Sequence, residues 1–192
     1  MLGPVAVLVP VKSFSEAKLR LAPALDPPAR AALARSMAGA VVAAAAPLPA
    51  AVVCDDAEVA AWARELGALV VWEPERGLNR AVEAGVARLG VHGVQQVIVA
   101  HADLPLVRRL DWLAAFDGVT LAPDRAGNGT NAICIPTGGG FTFSYGPGSC
   151  SRHATEASRL GLALRIVHEP RLGYDVDVPE DLTGLAEPTV KL

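Results

Sequence analysis

Apolar residues along this chain gather into short runs of strand length, separated by stretches in which they recur with helical spacing. Val5–Val9, Ala51–Cys54, Ala68–Trp72, Val97–Ala100, Val119–Ala122, Ala132–Ile135 and Leu164–Val167 are nearly continuous in apolar side chains, as expected of strands covered on both faces. Asp26-Pro27-Pro28 supplies an N-cap and first-turn prolines for a helix running to about Ala46. Asp56 to Leu66, closed by Gly67, reads as a second helix, Leu78 to Leu89 as a third, and about Ser151 to Leu160 as a fourth. Weaker patterns place a helix over Arg108–Phe116, a short edge strand over Phe141–Phe143 and a last helix from Pro179. Strands alternating with helices predict crossover units and a mainly parallel sheet. Neither a repeat nor a linker interrupts the pattern, so the 192 residues read as a single domain, 1–192, able to form a core without staples.

Composition narrows the setting. Cys54, Cys134 and Cys150 are widely spaced and odd in number, which predicts a reducing, cytoplasmic location rather than a disulfide framework. The N-terminus has no basic region ahead of its short apolar run, so no secretory signal is expected. The most apolar longer segment, Ser36 to Cys54, is mostly alanine and is broken by Pro47 and Pro49, so it reads as helix end, turn and strand, not as a membrane span. A formal charge of −3 gives no general attraction to nucleic acid, so an anionic ligand has to be held by a local cluster of donors.

Candidate chemistry gathers at the ends of the strands. Val97 to Pro105 is an apolar run that stops at Asp103-Leu104-Pro105, which delivers Asp103 to the carboxyl edge of a sheet, where open α/β folds place ligands; a cap or loop aspartate fits the same stretch. After the first strand, Lys12, Lys18 and Arg20 put three cations in a short loop, suited to a triphosphate or simply to solvent. Asn79 falls in the first turn of a helix, where its amide would read a base or ribose, or serve as a cap. Asp124 to Asn131 is glycine-rich and would expose backbone N–H groups and the Thr130 hydroxyl to an anion, or turn a hairpin. Gly146-Pro147-Gly148-Ser149 at a helix start is a second phosphate cradle, or a tight turn with a serine cap. Asp175 and Asp177 alternate onto one side of an extended segment and could share a cation, or form a surface pair. Together with Asp103 they suit magnesium, which takes one or two carboxylates plus phosphate oxygens. His92, His101, His153 and His168 show no zinc-ligand spacing, and a lone histidine is usually a capped or surface group.

These segments, in this order, resemble a known family. Val11-Lys12 through Ala17-Lys18-Leu19-Arg20-Leu21, Gly77-Leu78-Asn79, Asp103-Leu104-Pro105, Gly129-Thr130-Asn131-Ala132, Tyr145-Gly146-Pro147-Gly148-Ser149 and Asp175-Val176-Asp177-Val178-Pro179 are similar to the guanylyltransferases of coenzyme F-420 biosynthesis. That family includes phosphoenolpyruvate and 2-phospho-L-lactate guanylyltransferases and belongs to the wider molybdenum-cofactor guanylyltransferase-like nucleotidyltransferases. The resemblance implies a three-layer Rossmann-like nucleotidyltransferase fold with a mainly parallel, mixed central sheet. It implies Mg²⁺ held by Asp103, Asp175 and Asp177, and a phosphorylated three-carbon acid held by Thr130, Gly146 and Ser149. It places GTP along Pro10, Val11, Lys12, Lys18, Arg20 and Asn79. The implied catalytic set is Asp103, Lys12, Lys18 and Arg20, and the implied partner is a downstream deazaflavin transferase that takes over the product. A nucleotidyltransferase with another acceptor, or a nucleotide-binding subunit without turnover, would use many of the same residues.

Overall fold

The computed structural model describes residues 2–75 and 77–186; the end of the expected single domain, 187–192, lies outside them. Its strands are β1 (Val5–Pro10), β2 (Ala50–Cys54), β3 (Leu69–Trp72), β4 (Gln96–Ala100), β5 (Val119–Pro123), β6 (Thr130–Pro136) and β7 (Leu164–Ile166). They form one sheet in the order β3-β2-β1-β4-β6-β5-β7. Only β6 runs against the others, pairing antiparallel with β4 and β5. The helices α1 (Pro27–Ala43) and α2 (Ala57–Glu65) cover one face, and α3 (Leu78–Val91) and α4 (Ser149–Arg159) the other. Each strand splits its apolar residues between the two layers: Val7 and Val9 face α1 and α2, while Ala6 and Leu8 face α3. This double coverage is why the strands carry no polar alternation. No helix among the described residues is long and apolar enough to cross a membrane.

The chain steps from β1 to β2 to β3 in one direction, then returns through α3 to place β4 on the opposite side of β1. The carboxyl ends of β1 and β4 therefore lie side by side, with the connections leaving in opposite directions. Such a switch point is where an open α/β sheet leaves a crevice for ligand.

Several expectations need correction. The first helix stops at Ala43 rather than Ala46 and ends in turns ahead of Pro47, where the residue before a proline is driven out of the helical region. Arg108–Phe116 contains only a 3₁₀ segment, Asp111–Ala115. The fourth helix starts two residues early, at Ser149, after Gly148 in a left-handed conformation at φ 77°. A short helix α5, Pro170–Gly173, was not anticipated, and the segment from Pro179 is a 3₁₀ turn followed by one helical turn, α6, Thr183–Ala186. Phe141–Phe143 is not a strand. Its backbone is held by side chains: Thr142 N donates to Glu156 (3.0 Å), Phe143 N to Glu83 (3.4 Å), Ser144 N to His153 (3.0 Å) and Tyr145 N to Asn79 (2.7 Å). Four successive amides thus find partners on α3 and α4, leaving no need for a ladder.

The Asp124–Gly129 segment is the hairpin turn between β5 and β6, not an open anion cradle. Asp124 already accepts from Asn128 N and Gly129 N, both at 2.8 Å, so those donors are engaged. At the far end of β5, Gly118 has φ +141°, and a Cβ there would run into the Ala163 carbonyl oxygen that pairs with Val119 N. Gly118→Ala is therefore expected to cost about 2–4 kcal/mol, from the wrong-handed backbone plus the steric conflict. Urea unfolding would check this; an unchanged midpoint would show that the β5–β7 junction yields freely.

Candidate functional site

The long connection from β1 to α1 is pinned at two apolar points. Phe14 is buried edge-on against Trp62, with ring centroids 5.2 Å apart. Leu21 is buried with Met37 and Val176. Between these anchors Lys18 adopts φ 54°, a left-handed conformation uncommon for a residue with a Cβ. Its side chain lies at the foot of the crevice, where Nζ donates to Asp103 Oδ2 at 2.6 Å and to Asp177 Oδ1 at 2.9 Å. Burial pushes the Lys18 pKa down, but Asp103 and Asp177 outweigh it and raise it above the ordinary lysine value, so the group stays an ammonium. Arg20 is largely exposed and stands 3.9 Å from Asp177 Oδ2.

Asp103 follows β4 and Asp177 follows α5, so one lysine joins the carboxyl edge of the sheet to the C-terminal part of the chain. Asp103 Oδ1 is buried and has no hydrogen-bond partner among the described residues. Asp175 lies beside them, held by Asn131 Nδ2 at 3.2 Å, which also donates to Leu172 O at 2.9 Å. Burial raises the Asp175 pKa, Asn131 opposes this, and the negative charges of Asp103 and Asp177 add to the rise. Two carboxylates on one lysine, with the negative charge of Asp175 nearby, leave room for further positive charge. Among the described residues no group of three His, Cys, Asp or Glu side chains is arranged to hold a metal ion. A hard cation nonetheless fits the donor chemistry, because the buried oxygen of Asp103 lacks a partner and carboxylate oxygen is the preferred ligand of Mg²⁺.

The loop bearing Asp175 and Asp177 is fastened by Asp181. Its Oδ2 accepts from Asp177 N (2.8 Å) and Val178 N (3.0 Å), and its Oδ1 from Arg125 Nη2 (2.6 Å). Burial works to raise the Asp181 pKa, but the two amides and Arg125 outweigh it and hold the carboxyl below its ordinary value. A depressed carboxylate pKa adds stability that is complete above the unfolded value and fades as pH falls through the native one. Asp181→Ala is expected to cost about 1–3 kcal/mol at pH 7. The deficit should shrink toward pH 3, as the wild type loses the same contribution; urea unfolding at both pH values would read the difference, and a deficit independent of pH would contradict the assignment.

A cleft of about 530 Å³ opens above these groups. Pro10, Val11, Lys12, Lys18 and Arg20 line it from the β1 side, and Asp103 and Asp177 from the other. Thr130, Gly146, Ser149, Asn79 and Asp175 are not part of that lining. Asn79 instead uses its side-chain oxygen to accept from Tyr145 N, anchoring the loop that carries Gly146 and Ser149. Thr130 and Ser149 form a second, buried cluster: Ser149 Oγ donates to Thr130 Oγ1 at 3.3 Å, and His153 Nδ1 lies 3.0 Å from the same oxygen. The two parts meet where the ring of His101, in the cleft wall, lies 5.0 Å from that of Tyr145.

The sequence was silent on the residues that set these positions. His153, read only as a capped or surface group, is fully buried with both ring nitrogens hydrogen-bonded. Arg152 closes the 144–148 loop by donating to Ser144 O (2.7 Å) and Pro147 O (2.6 Å), so its charge serves carbonyls. Asn131 sits in a quoted motif next to Thr130, and its adjacency to that residue was the available signal. Asp181, two residues after the helix-starting Pro179, was visible only as a first-turn acid.

A family model described as "Guanylyl transferase CofC like" matches residues 5–186. The chain belongs to this family. Among CofC-like guanylyl transferases, it is 37% identical over 190 residues to a Rubrobacter xylanophilus protein named phosphoenolpyruvate guanylyltransferase, covering 94% of this chain and 93% of that one. A Roseiflexus castenholzii protein of the same name is 36% identical over 185 residues, covering 94% and 87%. In structure, the CofC-like chain is similar to a Desulfovibrio desulfuricans protein described as a nucleotide-diphospho-sugar transferase, with a TM-score of 0.73, 15% identity, and coverage of 95% and 86%. That likeness speaks to fold: the nucleotidyltransferase architecture with one antiparallel strand in the sheet.

Proposed function

We propose that this chain transfers GMP from GTP to the phosphate of phosphoenolpyruvate, with release of diphosphate and with Mg²⁺ as cofactor. The observation that carries the reading is Lys18 bridging Asp103 and Asp177 at the β1/β4 switch point. The names of the relatives favour phosphoenolpyruvate over 2-phospholactate or 3-phosphoglycerate as the acceptor.

In this reaction an oxygen of the acceptor phosphate forms a bond to the α-phosphorus of GTP, the bond to the β-phosphate oxygen breaks, and diphosphate leaves with the electron pair. The acceptor is already an anion near neutral pH, so the protein needs no general base, and catalysis becomes alignment and charge neutralisation. Lys12, Lys18 and Arg20 line the cleft on the β1 side and are suited to neutralise the departing diphosphate. Asp103, Asp175 and Asp177 would hold Mg²⁺, which when bound supplies charge to the triphosphate oxygens. Thr130, Ser149 and the backbone at Gly146 would hold the acceptor. Its product joins two phosphates in an anhydride, which suits direct hand-over to a downstream deazaflavin transferase. The three buried free cysteines accord with a cytoplasmic setting.

The test is diphosphate release from GTP and Mg²⁺ with phosphoenolpyruvate, 2-phospholactate and 3-phosphoglycerate offered separately, beside a control without acceptor. Release dependent on phosphoenolpyruvate is expected. GTP binding with silence for all three acceptors would turn the reading toward another acceptor or a subunit without turnover.

A further inference from the structure

Among the described residues, Thr130 Oγ1 receives two hydrogen bonds and gives none. The first partner is His153, whose tautomer is fixed by its other nitrogen. Nε2 lies 3.0 Å from Ser144 N, and a backbone amide can only donate, so Nε2 carries no proton and the neutral ring keeps its proton on Nδ1. Nδ1–H then donates to Thr130 Oγ1 at 3.0 Å. The second partner is Ser149 Oγ, which donates to the same oxygen at 3.3 Å. With both lone pairs of Thr130 engaged, its own proton has to point elsewhere, and no hydrogen bond among the described residues takes it. The imidazole is held in place by the rings of Phe141, Phe143 and Tyr145, at centroid distances of 5.9, 6.0 and 4.9 Å. Burial, with Arg152 and His101 adding and Glu156 opposing, lowers its pKa to about 4, which keeps it neutral at working pH.

We propose that His153 is a positioning residue for the acceptor: by donating Nδ1–H to Thr130, it turns the Thr130 hydroxyl proton away from the imidazole and leaves it free to donate to an anionic oxygen of the phosphorylated acid. With the opposite tautomer, Thr130 would donate into the ring and present a lone pair that repels the anion. The proposal rests on the reading that Thr130 and Ser149 hold the acceptor.

Two variants divide the two functions of the ring. In His153→Gln the side-chain oxygen takes the place of Nε2 as acceptor for Ser144 N, and nothing donates to Thr130. In His153→Asn the amide nitrogen falls where Nδ1 stood. His153→Gln is expected to raise the KM for phosphoenolpyruvate about tenfold, the worth of one hydrogen bond to an anion, with kcat and the KM for GTP unchanged. His153→Asn should recover most of that loss, and in a Thr130→Val background His153→Gln should add nothing. Equal losses in the two variants, a parallel shift in the KM for GTP, or a further loss in the Thr130→Val background would each overturn the proposal. Long-range ¹⁵N–¹H NMR of the wild-type imidazole gives a readout independent of activity. A proton on Nδ1 is expected at neutral pH, and an Nε2–H ring or an imidazolium would overturn the proposal. Failure of diphosphate release by the wild type with every acceptor would overturn the function proposed above, while the tautomer would still be decided by NMR.

Discussion

Asp103→Asn is expected to lower the turnover of phosphoenolpyruvate-dependent diphosphate release by about 100-fold or more, the scale on which removal of one preorganised electrostatic group acts, while GTP affinity changes far less. Asparagine keeps the shape of the side chain, so the fold should be preserved. What changes is charge and hydrogen-bonding polarity. Asp103 Oδ2 accepts the shortest bond of the Lys18 ammonium, at 2.6 Å, and Oδ1 is buried without a partner. In the variant one of these positions becomes an NH₂ group, which either faces an ammonium or occupies the place suited to a cation. On the proposed function GTP would be held along the β1 side of the cleft by Lys12, Lys18 and Arg20, which the substitution leaves in place, so binding is expected to persist. Steady-state kinetics paired with calorimetric GTP binding measures both quantities. Near-normal turnover, or a loss of GTP affinity as large as the loss of turnover, would remove Asp103 from the assigned role.

Lys18→Met should move two observables in opposite directions. Turnover is expected to fall by about 100-fold or more, because the cation closest to the carboxylates is no longer available to the departing diphosphate. Without nucleotide, however, Mn²⁺ binding followed by electron paramagnetic resonance should tighten by about tenfold or more, the scale on which one close opposite charge shifts a carboxylate equilibrium. The reason lies in the geometry: Lys18 bonds Asp103 and Asp177 at once and so competes with any divalent cation for the same oxygens. Methionine keeps the apolar stem and removes the competitor. Unchanged or weaker Mn²⁺ binding would show that these carboxylates do not form the cation site, whatever happens to turnover.

The strands and main helices were legible in the sequence because they are driven by local pattern: short apolar runs rich in β-branched residues and bounded by turn residues suit covered strands, and Asp26 followed by two prolines suits a helix start. The stretch ending at Asp103 fitted either a carboxylate at the sheet edge or a cap or loop aspartate, and Asp103 lies in the turn just past the carboxyl end of β4. Features that depend on distant partners were not legible. Phe141–Phe143 has the composition of a strand, but its amides bond to Glu83 on α3 and Glu156 on α4. Asn79 had the right place to meet nucleotide, yet its oxygen is taken by an amide 66 residues away. Asp124 occupies the donors of its own turn, which the glycines alone did not reveal. His153 carried no local signature because its partners, Thr130 and Ser144, lie 23 and 9 residues away. The left-handed backbone of Lys18 is likewise set by the buried Phe14 and Leu21 on either side of it.

The backbone amides of segment 142–145 are held by side chains of two helices and by no neighbouring strand, although Phe141 and Phe143 pack on the sheet. Lys12 and Asp103, by contrast, follow the ends of β1 and β4, and Asp175 and Asp177 follow α5 on a loop fastened by Asp181. On the function proposed above, the sheet ends would handle GTP, while the acid would be held between Thr130 on β6 and the 144–149 segment. On that reading, exchange of 141–149 with Asn79, Glu83, His153 and Glu156 kept as mounting points would alter the acceptor side while leaving the Lys18–Asp103–Asp177 cluster untouched.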